Sequence, residues 1–297
     1  MNLPTVVNFA PNGMIPTKDA TPHVPISVSE VVEDVLAAHE CGISMAHIHA
    51  RDQKTGVPTY DPDIYARMIE GIRRHAPDLV ICASLSGRNF PEFEKRAAPL
   101  QLDGDAKPDM GSLTLGSMNF LKQASVNTPE VIKQLAAEML RRGIAPELEA
   151  FDLGMINYAI YLQRQGLIAP PFYFNLLLGN IASAQADMLH AATMVRELPE
   201  NSLWSLAGLG ERQLAMNGLA CAMGGGVRTG LEDNIYFDKS RTTLATNLDL
   251  VTRIKQLSEL NDRDIMTPSD LRRQLKLEPG HGRYGRRYPD RKEATEN

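Results

Sequence analysis

Nowhere in this sequence of 297 residues do apolar side chains run on for the roughly 18 positions that a membrane-crossing helix needs. Residues 1–10 also lack the basic start and apolar stretch of a secretory signal, so no membrane is expected and the cytosol is the expected location. Basic side chains are not in excess: 31 Lys and Arg stand against 36 Asp and Glu, a net charge of −5 that argues against a nucleic-acid partner. Cysteine is scarce. Cys41, Cys82 and Cys221 are an odd number in apolar surroundings, which excludes a disulfide framework and reads as buried, reduced thiols. No G-x-G-x-x-G follows the first apolar run, where a dinucleotide-binding fold requires it. No Gly/Ser linker, low-complexity stretch or short repeat divides the chain.

What is present is a repeated alternation of short apolar runs, rich in β-branched and aromatic residues, with segments of helical period. Strands are expected over 5–9, 45–49, 79–84, 111–115, 147–151, 172–178, 203–207 and 227–230. Helices are expected over 29–40, 62–75, 129–142, 155–165, 183–197, 211–223 and 242–260, most of them opened by a capping residue or a proline. Eight βα units in a chain of this size predict an α/β fold, a single (β/α)8 TIM barrel, in preference to an open doubly wound sheet. The barrel is expected over residues 1–277. Residues 278–297, with Arg283, Arg286, Arg287 and Arg291 among glycines and prolines, are expected to form an extended basic tail, a solvated arm or an oligomer contact.

In Ala46-His47-Ile48-His49-Ala50-Arg51-Asp52, two histidines two apart on a strand share one face, the barrel interior, at the strand end where barrel enzymes place their chemistry. A single buried histidine is usually structural. Two side by side in a packed interior are costly without a metal ion to share. A catalytic zinc takes three protein ligands and keeps a position open, and the best third ligand lies in Val227-Arg228-Thr229-Gly230-Leu231-Glu232-Asp233, because strand eight closes beside strand one. Glu232 would complete the set, Asp233 would be free to act as a base, and Arg228 could bind a carboxylate or tune its charge. Without the histidines, the same acids would read as helix caps in a surface loop. Ser84, Ser86, Ser112, Thr114, Asn119 and Glu149 add polar groups at other strand ends. The run Gly224-Gly225-Gly226 reads as a tight turn into strand eight more than as a phosphate cradle. His23, His39, His75, His190 and His281 have no partner at ligand spacing.

Together these residues resemble the β-keto acid cleavage enzyme family over nearly the whole chain. The resemblance runs through Asn12-Gly13 and Pro16-Thr17-Lys18, the His-x-His-x-Arg-Asp of strand two, Leu115 to Phe120, Glu147 to Asp152, Trp204 to Gly208, and Arg228-x-Gly-x-Glu232-Asp233-Asn234. It implies a zinc ion held by His47, His49 and Glu232, with a small β-keto acid and acetyl-CoA as substrates. It further implies that Asp233, oriented by Arg228 and Glu149, removes a proton, that Ser84 stands near the transferring acyl group, and that Ser112 helps position substrate. The products would be acetoacetate and a new acyl-CoA. The resemblance also implies a homo-oligomer, a tetramer. Two departures bear on the substrate. Members acting on an amino-bearing substrate carry a glutamate after strand one, where this chain has Ile15, and the loop Ser84-Leu85-Ser86-Gly87-Arg88 replaces a glycine run and adds a positive charge. An uncharged or acidic substrate side chain is therefore expected, with Thr114, Ile15, Arg88 and Asn119 among the groups that meet it. Two competing readings are a metal-dependent aldolase or hydrolase acting without CoA, and a non-catalytic binding protein.

Overall fold

Residues of one parity along each apolar run face the same way, so eight such runs can close on themselves only if one face of each fills a common interior. The structure, a computed structural model, describes residues 3–287 and shows this closure. Eight parallel strands form the barrel: β1 (Val7–Phe9), β2 (Met45–Ile48), β3 (Val80–Ala83), β4 (Met110–Thr114), β7 (Ala145–Ala150), β8 (Phe172–Leu178), β9 (Ser202–Gly208) and β10 (Gly226–Thr229). Their order around the barrel is β1-β10-β9-β8-β7-β4-β3-β2, and β1 pairs with both β10 and β2. The (β/α)8 expectation is borne out. A two-stranded antiparallel hairpin, β5 (Met118–Asn119) and β6 (Ala124–Ser125), rises after β4 and has no counterpart in the sequence reading.

The helices are α1 (Val28–Cys41), α2 (Pro62–Arg73), α3 (Phe93–Arg96), α4 (Pro129–Arg142), α5 (Leu153–Arg164), α6 (Met188–Arg196), α7 (Gln213–Met223), α8 (Asn247–Leu260) and α9 (Pro268–Leu275). Two begin later than expected because local capping decides the start. Asp187 accepts from His190 N and opens α6, while Thr246 and Asp249 form a capping box that opens α8. The unexpected α9 follows the same rule, with Thr267 as cap and Pro268 in its first turn. No helix among the described residues is long and apolar enough to cross a membrane.

Inside the barrel the side chains fall into layers. The lowest is apolar, with Val6, Met45, Val80, Met110, Ala145 and Tyr173 in one cluster closed from beneath by Met266, Leu271 and Leu275. The next layer is polar almost throughout: Asn8, His47, Ser112, Glu147, Asn175, Ser205 and Arg228 are each at most 2% exposed. Burying so many polar groups is tolerable only if they satisfy one another. Below the barrel, Asp109 accepts from Arg73 and Arg272, tying α2, β4 and α9 together. Of the stretch from Glu278 onward, Gly285 N donates to Asp109, Arg286 donates to Pro171 O, and Tyr284 lies under the Arg73 guanidinium. Arg291 and the rest of 288–297 lie outside the described residues.

Candidate active site

The polar layer is organised around Glu147. Its Oε1 accepts from Asn8 Nδ2 at 2.6 Å and Asn175 Nδ2 at 2.7 Å, and its Oε2 lies 2.5 Å from His47 Nδ1. With both asparagines already donating, the carboxylate keeps its acceptor character for the imidazole, so Nδ1 carries the proton and the Nε2 lone pair points up the barrel. Burial would raise the Glu147 pKa, but His47, Arg228 and the Asn8 hydrogen bond together hold the carboxylate below its ordinary value. Sequence reasoning quoted Glu147 only within a motif. The parity argument applied to His47 and His49 applies equally to Glu147 and Glu149, and was the signal that could have found it.

Above this layer, His47 Nε2, His49 Nε2 and the Glu232 carboxylate converge, all within 4.8 Å of one another. The two imidazole nitrogens are 3.1 Å apart, His49 Nε2 is 3.1 Å from Glu232 Oε1, and Glu232 Oε2 is 4.0 Å from His47 Nε2. With the His47 lone pair also facing it, the one proton that His49 Nε2 can carry would have to be shared between His47 Nε2 and Glu232 Oε1. Glu232 Oε2 itself is buried with no hydrogen-bond partner. Protons alone leave this carboxylate oxygen unserved, whereas two imidazoles and a carboxylate are a suitable donor set for a divalent cation. Burial lowers the His49 pKa. Burial would raise Glu232, but Arg228, His49 and His47 hold it well below the carboxylate range.

Local backbone explains how Glu232 reaches the histidines. Gly13 sits at φ 57°, and a Cβ there would lie 2.4 Å from Glu232 Cγ, so only glycine leaves the carboxylate its place. Asn12 clamps the other side: its Nδ2 donates to His49 O at 2.9 Å, and its Oδ1 accepts from His49 N at 3.2 Å. Arg51, 1% exposed, donates to the carbonyls of Met14 and Pro16 and pins the loop that follows β1. Asn12, Gly13 and Arg51 stood in the quoted motifs without a role; the fold supplies one.

Arg228 lies among carboxylates. Its Nε donates to Asp233 Oδ2 at 2.9 Å, its Nη2 pairs with Glu232 Oε1 at 2.9 Å, and its Nη1 is 3.9 Å from Glu149 Oε1. That Nη1 is buried and has no acceptor among the described residues. Burial raises the pKa of Asp233 and of Glu149, the latter also holding a hydrogen bond from Thr114 Oγ1 at 2.6 Å. Three carboxylates, Glu149, Glu232 and Asp233, thus crowd one guanidinium with Glu147 paired to His47 beneath them, an excess of negative charge that a bound cation would relieve.

These groups open upward into a cavity of about 610 Å³. Ile15, Ser84, Arg88, Thr114, Glu149 and Asp233 line it. Ser84 is held from behind, its carbonyl accepting from Tyr65 Oη at 2.9 Å. Two residues expected to meet substrate do not line this cavity. Ser112 lies one layer below and accepts from Leu85 N at 2.9 Å, fixing the β3 loop and not facing the cavity. Asn119 points away on the exposed hairpin, where its carbonyl accepts from Asn180 Nδ2; the neighbouring Met118 and Phe120 line the cavity instead. Alternation along β5 is the reason: side chains on either side of Asn119 face inward. The glycine run behaves as a turn. Gly224 caps α7 at φ 82°, and Gly225 is packed against Trp204, at the barrel end opposite the cavity.

A family model described as beta-keto acid cleavage enzyme matches residues 4–277. The 3-keto-5-aminohexanoate cleavage enzyme of Fusobacterium nucleatum is 38% identical over 273 residues, 92% of this chain and 97% of that protein. The 3-oxoadipate:acetyl-CoA acetyltransferase of Cupriavidus necator is 38% identical over 281 residues, 93% of this chain and 96% of its own. Among solved structures, the apo structure of ObcA aligns with a TM-score of 0.72 at 17% identity, covering 86% of this chain and 65% of that one, a likeness of fold. The barrel, the strand-end constellation and relatives matched almost end to end agree, and this chain belongs to the β-keto acid cleavage enzyme family.

Proposed function

We propose that this enzyme cleaves a β-keto acid at the expense of acetyl-CoA, giving acetoacetate and the acyl-CoA of the remaining fragment. The observation that carries the reading is the convergence of His47, His49 and Glu232 beside the Asp233 and Arg228 pair, at the cavity end of the barrel. His47, His49 and Glu232 would hold a divalent ion, zinc by donor type. When bound, the ion supplies Lewis acidity toward the keto and carboxylate oxygens of the substrate.

The chain's own groups do the rest. Asp233, kept basic by a pKa raised through burial yet aimed by Arg228, takes a proton from the carbon between the keto and carboxylate groups. The open Nη1 of Arg228 offers a donor to the charge that develops. The carbanion attacks the thioester carbonyl of acetyl-CoA, the CoA thiolate leaves, and the thiolate returns to the original keto carbon. The bond between that carbon and the former carbanion carbon then breaks, the latter takes back the proton held by Asp233, and acetoacetate departs. Ser84, at the cavity wall, stands by the acyl group in transit, and Glu149 with Thr114 braces Arg228 from the far side. The enzyme is proposed to work in the cytosol as a homo-oligomer, a tetramer; Met188 and Leu189, 70% and 72% exposed on α6, offer an apolar surface for a subunit contact.

The test is a coupled assay of zinc-loaded protein with a panel of β-keto acids, with and without acetyl-CoA, following acetoacetate by mass. Acetoacetate that appears only with acetyl-CoA, and disappears on chelation and returns with zinc, is the expected result. Turnover independent of acetyl-CoA would overturn it in favour of an aldolase or hydrolase.

A further inference from the structure

Three cations besides Arg228 line the large cavity, Arg88, Lys122 and Arg241, and Arg88 is the one stacked on an aromatic wall of it. Arg88 lines the cavity from the loop after β3, and its guanidinium carbon lies over the ring of Phe120, 3.7 Å from the centroid. Phe120 is in turn packed edge-on against Phe151, centroids 5.9 Å apart at 87°. Three planar groups in contact hold the guanidinium in one orientation while leaving its edge unused, because Arg88 forms no side-chain ion pair or hydrogen bond among the described residues. A half-buried, pre-oriented guanidinium with a free edge matches a carboxylate, which it can meet with two parallel hydrogen bonds at little ordering cost.

The carboxylates of the cavity point to the same class of ligand. Glu232 and Asp233 are taken by Arg228, Glu149 accepts from Thr114 with Arg228 3.9 Å away, and Glu211 pairs with Arg212 at 3.3 Å. The loop after β1 offers Met14 and Ile15, neither able to balance a cation. Beside Arg88 a substrate ammonium would meet a like charge, while a distal carboxylate would find a prepared partner.

We infer that Arg88 is the specificity-determining residue of this enzyme, and that its substrate is a β-keto acid bearing a second carboxylate at the far end of its side chain. The inference deepens the cleavage reading and rests on it. The anion could instead come from a phosphate of acetyl-CoA, which the experiment separates.

Kinetics are measured on wild type, Arg88→Met and Arg88→Lys with a linear 3-oxo dicarboxylic acid and the 3-oxo monocarboxylic acid of equal chain length, each against varied acetyl-CoA. Wild type is expected to prefer the dicarboxylate, and Arg88→Met to lower the ratio of the two kcat/KM values on the order of 100-fold, through the KM of the dicarboxylate. Arg88→Lys should recover part of that ratio. In parallel, calorimetry with glutarate, which cannot react, should show binding to wild type and its loss in Arg88→Met. An unchanged ratio, or a rise in KM for acetyl-CoA alone, overturns the inference. Should no β-keto acid turn over, the cleavage reading fails by itself, and the glutarate titration still decides whether Arg88 holds a carboxylate.

Discussion

Replacing Glu147 by glutamine tests whether the metal-binding competence of His47 is set from the barrel interior. Glutamine keeps the shape but not the acceptor capacity. If its amide oxygen stays on Asn8 and Asn175, its NH2 faces His47 Nδ1, now 2.5 Å from Glu147 Oε2, and that nitrogen must give up its proton and accept. The proton then sits on Nε2, the atom that faces His49 Nε2 and Glu232. If the amide flips, its NH2 meets the donors of Asn8 and Asn175 and two hydrogen bonds are lost. Either arrangement penalises the tautomer that ligates. Loss of such an outer partner weakens metal binding by about 10- to 100-fold, about 1.4 to 2.7 kcal/mol. Zinc affinity is read by competition with a chromophoric chelator, and circular dichroism and a melting curve establish that the variant is folded. A folded Glu147→Gln protein with wild-type zinc affinity would refute the reasoning.

Further outcomes are expected. Asp233→Asn should cut acetoacetate formation by roughly 10²- to 10⁴-fold while keeping one zinc per chain by elemental analysis, and loss of zinc instead would make Asp233 a ligand. Gly13→Ala, whose new Cβ would press on Glu232, should weaken zinc by at least about tenfold in the same competition assay. Asp109→Asn would leave Arg73 and Arg272 buried without their counter-charge, at a cost of about 3 to 5 kcal/mol and a fall in Tm of about 10 °C. Burial would raise the Asp109 pKa, but the two arginines hold it below its ordinary value, so its contribution is present above the unfolded carboxylate pKa and fades as pH falls through the folded one. The stability gap between wild type and Asp109→Asn should hold from pH 7 to about 5 and narrow below about 4; a gap independent of pH would show that charge is not its source.

Much of the site was readable from strand parity. His47 and His49 share a face of β2, and Arg228, Glu232 and Asp233 follow from the end of β10; the structure brings all five together. The same reasoning went astray where a residue's neighbour belongs to another strand or a turn. Ser112 has the inward parity of Thr114 but sits one layer lower, where Leu85 N takes its hydroxyl, and Asn119 belongs to a hairpin whose strands are too short to show a period. The starts of α6 and α8 were misread for a related reason, since a helix begins where a side chain caps it and not where polarity changes.

By itself, the amino-acid sequence determined the number of βα units, the inward face of each strand and the residues able to ligate, because these follow from spacing along one chain. Only the tertiary structure decided which of them meet. Closure of β10 against β1 carries Glu232 to His49 across 183 residues, the barrel interior brings Glu147 to His47 across 100, and the pairing of β3 with β4 sets the ring of Phe120 by the guanidinium of Arg88. Those distances depend on barrel register and stagger, quantities shared by eight strands and written in no one of them.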